Sequence, residues 1–214
     1  MPLARVWQLA VYGAALRHVP RLGTAALQRA QPHMTAAAAV KEPRLLLTST
    51  GLTTASMRES FSRMLDAANA PNAGPPRVAM VVTAQLAPSV RESSSNDEED
   101  KMPRRSPGEL RRRRWADARK KSKVISSELG VIVDCIDCAR SPAPELREAL
   151  EGAACIWVTG GNTFFLMHHL RNSGLDAIIR ERLEAGAVYV GCSAGSIVAG
   201  ASMQTAFWKG WVRR

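Results

Sequence analysis

The sequence predicts an α/β fold: a parallel sheet with helices on both faces, in three layers. Three observations point there. Short apolar runs recur five times along the chain, and stretches with helical apolar spacing separate them. The segments with chemical character follow the apolar runs, where the carboxyl ends of parallel strands gather.

The first run, Arg44 to Thr50, is RLLLTST. Gly51 to Thr54 then reads as a loop, and Ser56 with Glu59 has the spacing of a capping box. Met57, Phe61, Met64, Leu65 and Ala68 fall on one helical face, and NAPNAGPP ends that helix. RVAMVVTA (77–84) is the second strand. A helix is expected from near Pro107 to about Leu129, with Leu110, Trp115 or Arg114, Ala118 and Val124-Ile125 as its apolar stripe. GVIVDCID (130–137) is the third strand, and SPAPELREALEG a short helix with Pro near its start and Gly after its end. ACIWVTGG (154–161) is the fourth strand. Two helical segments separated by Asn-Ser-Gly lead to the fifth, AVYVG (187–191).

With 214 residues, 46% hydrophobic and 22% charged, the chain is long enough for one domain with a substantial core. No apolar run has the length of a membrane span. Much of the formal net charge of +10 sits in the first 41 residues and in 101–123, so it is local rather than a property of the fold. Residues 1–41 form a basic leader. Its first 33 residues hold four Arg and no acid, as in a mitochondrial or plastid transit peptide, and a start at Met34 would give a cytoplasmic form. Residues 42–214 are the domain proper, interrupted at about 89–106 by a charged segment without apolar period, expected to be a disordered loop. The basic stretch ELRRRRWADARKKSK reads as a solvated helix face. With no aromatic platform or zinc finger beside it, nucleic acid is not expected as a partner, and neither is a membrane.

Gly191-Cys192-Ser193-Ala194-Gly195 matches G-x-S-x-G, the strand-to-helix turn that lifts a serine oxygen above a helix N-terminus. The amide of Ala194 could then face a developing oxyanion. A tight turn with a bystander serine is the alternative. Cys192 is a rival nucleophile by chemistry, but its place beside the apex should turn it away. Gly160-Gly161-Asn162-Thr163 ends a strand and opens a helix: Asn162 is a natural N-cap, and the glycine amides could approach a ligand. A simple capped turn would read the same. The P-loop lysine is missing, and so is the full dinucleotide fingerprint. His168 and His169 lie inside that helix and are expected to pack or face solvent. Cys135 and Cys138 form a lone C-x-x-C, read as buried thiols at a strand end. No metal and no cofactor are expected.

Together LLLTSTGLTT, WVTGGNTFFL and VGCSAGSIVAG, in that order, resemble the dipeptidase E (α-aspartyl dipeptidase) family of serine peptidases, similar in fold to class I glutamine amidotransferases. RRRRWADARKKSKVISSELG also resembles a connecting helix of some members. The likeness runs from about Arg44 to Trp211. It implies Ser193 as nucleophile, Gly161 and Ala194 as oxyanion-hole amides and Asn162 as a pocket-shaping residue. It further implies metal-free cleavage of dipeptides with an N-terminal aspartate, and a downstream histidine base oriented by an acid. Residues 194–214 contain no His, Asp or Glu. The expectation is therefore a domain incomplete at its C-terminal end and impaired in hydrolysis. The alternative is a catalytically inactive binding or regulatory fragment. Expected partners are a small peptide, a second copy of the chain, or a full-length copy.

Overall fold

A computed structural model describes residues 43–69, 74–88 and 106–209. The basic leader and nearly all of the charged 89–106 segment lie outside the described residues. Five strands form one parallel sheet: β1 (Arg44–Thr48), β2 (Arg77–Val81), β3 (Ile132–Ile136), β4 (Cys155–Val158) and β5 (Val188–Cys192). Their order is β1-β5-β4-β2-β3. Strands β1 to β4 are shorter than their apolar runs, whose last residues turn away into loops, whereas β5 keeps the length of its run, shifted by one residue. After β2, Thr83–Leu86 closes into a 3-10 turn.

Alternate strand residues feed two cores, as the period of two requires. Val78, Met80, Cys155, Trp157 and Val190 face one side; Ala79, Val81, Ile156, Val158 and Tyr189 face the other. The first side is covered by α1 (Ala55–Ala68) and α2 (Pro107–Leu129). The second is covered by α3 (Ala143–Leu150), α4 (Thr163–Asn172), α5 (Leu175–Glu184) and the short α6 (Ala194–Val198). This is the three-layer arrangement read from the sequence. Among the described residues no helix is long and apolar enough to cross a membrane.

Two local expectations need correction. Helix α1 is capped by Thr54, whose side chain accepts from the Met57 amide; Ser56 lies inside the helix, so the Ser56–Glu59 spacing is not a capping box. On α2 the inward stripe is Trp115, Ala118, Ser122, Ile125 and Leu129. Val124 is 51% exposed, because the helix turns its neighbour Ile125 to the sheet instead. The rest of α2 follows its sequence closely. Ser106 and Glu109 form a reciprocal capping box, Pro107 takes the first turn, and Gly130 ends the helix at φ 64°.

Candidate active site

Ser193 sits where β5 becomes α6, with φ 51° and ψ −103°. Among the described residues it is the one non-glycine with positive φ. Such a conformation costs about 1–3 kcal/mol and persists only where neighbours enforce it. Those neighbours are visible. The Ser193 amide donates to Thr48 O at 2.8 Å, and its carbonyl accepts from the Ser196 and Ile197 amides at 3.0 Å each. The Ser196 hydroxyl accepts from the Thr48 amide (3.1 Å) and donates to Thr48 O (2.7 Å), with Gly191 O at 2.9 Å. Thr48, itself buried, donates its hydroxyl to Gly191 O and receives the Gly51 amide. Buried Tyr189 donates to Gly195 O at 2.7 Å. The edge strand β1 and the first turn of α6 thus clamp the serine from two directions. Ser193 itself is only partly buried.

The second wall is the loop after β4. A β-carbon placed on Gly160 would stand 3.1 Å from Ser193 Cβ and 3.7 Å from Ser193 Oγ, so this backbone lies against the nucleophile. Gly161 has φ 139°, and a side chain there would collide with the Ala84 carbonyl and sit 2.7 Å from Gln85 N. Only glycine fits. Asn162 anchors both ends of the turn. Its amide donates to Ala84 O at 2.9 Å, and its side chain caps α4 by accepting from Phe165 N at 3.0 Å. Gln85 ties the 3-10 turn to the same loop through Thr159 Oγ1 (3.1 Å), which in turn donates to Val81 O.

The structure therefore brings together Ser193, Ala194, Gly160, Gly161 and Asn162 at the carboxyl ends of β4 and β5. Ala194, at the start of α6, is fully buried. Cys192 is half-buried, with its sulfur 3.7 Å from Ser49 O, on the β1 side of the elbow. His168 and His169 remain on the body of α4. His168 is exposed and bonded to Asn172 at 2.9 Å; the His169 ring lies 4.4 Å from that of Phe165. Burial, then the neighbouring His168, holds the His169 imidazole below the ordinary histidine range. Of the C-x-x-C pair Cys138 is buried, but Cys135 is only half-buried because β3 is a sheet edge. All four thiols are free, and the described residues hold no group of His, Cys, Asp and Glu able to bind a metal ion. Thr48, Ser196, Gln85 and Thr159 are supports that sequence reasoning missed. Lone hydroxyls and amides outside a motif give no signal until the sheet order is known.

Comparison with known proteins fits this geometry. Residues 114–210, which include both walls of the site, match the model of peptidase family S51. This part of the chain is similar to peptidase family S51. The chain is similar to an uncharacterised peptidase of Listeria monocytogenes, 40% identical over 76 residues, covering 36% of this chain and 37% of the relative. It is similar also to peptidase E of Shewanella amazonensis, 52% identical over 59 residues, covering 28% of this chain and 25% of that protein. The chain thus spans a quarter to little more than a third of the length of these curated relatives. In fold it is similar to the crystal structure of a peptidase from an acI-B1 actinobacterium, with a TM-score of 0.51 at 20% identity, covering 72% of this chain and 55% of that one. The similarity is thus to a family of serine peptidases.

Proposed function

We propose that the chain carries the nucleophile and oxyanion site of a serine peptidase acting on short peptides, with Asp-containing dipeptides as the substrate class. The observation that carries this reading is the strained Ser193, held by Thr48 and Ser196 and facing the backbone of Gly160. A side chain is not kept at positive φ against a glycine loop for packing alone. In the reaction, Ser193 Oγ attacks the scissile carbonyl carbon while its proton passes to a base. The carbonyl oxygen takes the negative charge and is stabilised by the amides of Ala194 and Gly161, at a helix start and a glycine turn. Collapse expels the amine, which takes that proton back from the base, and leaves an acyl-enzyme that water hydrolyses. Asn162 shapes the substrate side of the pocket.

Residues 194–214 supply no His, Asp or Glu, and His168 and His169 are engaged along α4. We therefore expect the 214-residue chain alone to acylate slowly, since a serine without a positioned base is a weak nucleophile. The test is labelling with a fluorophosphonate probe, with and without added imidazole as a surrogate base, alongside assay of Asp-containing dipeptides. Slow labelling at Ser193, accelerated by imidazole and abolished in Ser193→Ala, supports the reading. A folded protein that remains unlabelled in both conditions, or labels equally well in Ser193→Ala, overturns it.

A further inference from the structure

A cavity of about 700 Å³ opens at the other side of the sheet, over the free edge of β3. Sheet order places β4 and β2 between it and the Ser193 strand, three strand spacings or about 14 Å away. It is not part of the elbow site. Its volume lies in the range of small-molecule pockets.

The walls come from elements distant in sequence. The first turns of α2 supply Arg111, Arg112 and Trp115; the end of β3 and the following loop supply Asp137 and Arg140; α3 supplies Glu145 and Leu146. The floor is apolar: Leu146 is fully buried, Ile136 nearly so, and the half-buried Trp115 is among the lining residues. Arg111 is fixed, paired to the buried Asp137 and donating to Leu86 O at 3.1 Å. Asp137 is held from its other side by the Thr83 hydroxyl at 3.0 Å and the Ala139 amide at 3.1 Å. That pair is neutral overall and rigid. The remaining charges at the mouth are the guanidiniums of Arg112 and Arg140 and the carboxylate of Glu145. Neither arginine forms an ion pair among the described residues. The mouth is left with one net positive charge above an apolar, aromatic floor.

We propose that this cavity binds a small organic monoanion with an aromatic body, its ring against Trp115 and its charged group on Arg112 and Arg140. Two guanidiniums present planar donor forks suited to a carboxylate or a phosphodiester, and the carboxylate of Glu145 disfavours a second negative charge on the ligand. The flat ring matches the Trp115 face and the aliphatic floor, whose burial supplies affinity that the rim charges alone would not.

Ligand-observed NMR titration of the full chain tests the proposal, with the monoanions indole-3-acetate and methyl phenyl phosphate as probes and indole-3-acetamide as the neutral counterpart. One or both anions should saturate, binding at least about tenfold more tightly than the amide, roughly the 1.4 kcal/mol of one well-placed charge contact. Arg112→Gln with Arg140→Gln should erase that preference, and Glu145→Gln should tighten anion binding. Both changes are at exposed positions, and their opposite signs separate a charge effect from loss of structure. Ser193→Ala should leave binding unchanged. Equal affinity for acid and amide, no saturable binding of either anion, indifference to the arginine changes, or loss of binding in Ser193→Ala would each overturn the proposal.

Discussion

At position 193 geometry and chemistry pull in opposite directions. Serine is an unfavourable residue for φ 51°, whereas glycine would adopt it readily. Ser193→Gly should therefore stabilise the fold by about 1 kcal/mol: the release of local strain exceeds the added flexibility of glycine in the unfolded chain. The same change should abolish fluorophosphonate labelling. Two residues on, the opposite holds. A β-carbon on Gly195 would press into the Val158 carbonyl and lie 3.0 Å from Val158 Cβ, between α6 and β4. Gly195→Ala should cost about 1–3 kcal/mol, the usual range for overpacking. Urea unfolding of the two variants beside the parent measures both effects. If Ser193→Gly proves destabilising, the hydroxyl is a structural anchor, and the strain argument for a nucleophile fails.

Between residues and the whole lie the elements, and here the two long helices behave differently. Both ends of α2 are written locally, in Ser106, Pro107 and Glu109 at one end and Gly130 at the other, and sequence reading placed it at its observed bounds. The start of α1 was misread because Thr53, Thr54 and Ser56 all offer hydroxyls within one turn. Which one caps depends on how the loop leaves β1, and that is fixed by tertiary contacts. Thr54→Ala should cost about 1 kcal/mol, the typical value of an N-cap hydroxyl, and Ser56→Ala at most about half as much. Equal losses in thermal or urea unfolding would return the cap to Ser56. The site divides along the same line. Ser193, Gly161 and Asn162 were legible because a strand-turn-helix constrains its own residues. Thr48 and Ser196 were not, since their partnership requires β1 to lie beside β5, 143 positions away by the Thr48–Gly191 bond. The cavity over β3 was hidden for the same reason: α2, β3 and α3 line it together, and no one of them suggests it alone.

On the scale of the molecule, the sheet buries several groups that ionise in alkali. Cys155 lies wholly inside, in β4 between β2 and β5, and burial pushes its thiol far above the ordinary value of 9.0. Burial raises Cys138 as well, partly offset by the Thr83 hydroxyl, and raises the Tyr189 phenol above its ordinary 10.0. In the folded protein these groups keep their protons where the unfolded chain loses them. Their contribution is thus fully present below pH 9 and is withdrawn as pH climbs from the unfolded values towards the folded ones. Stability should be level between pH 7 and 8 and then fall. Each such group steepens the decline by up to about 1.4 kcal/mol per pH unit, with Cys155 the first large contributor. Cys155→Val keeps an apolar side chain of similar size and removes the ionisation. It should shift stability modestly at pH 7 and lessen the decline between about pH 9 and 10, leaving the part due to Cys138 and the later fall due to Tyr189. Urea midpoints measured across that range in parent and variant decide the matter. An unchanged alkaline slope in Cys155→Val would mean that the central strand opens to solvent before the protein unfolds, and that β4, which carries Gly160 up to Ser193, is not the rigid wall described for the site.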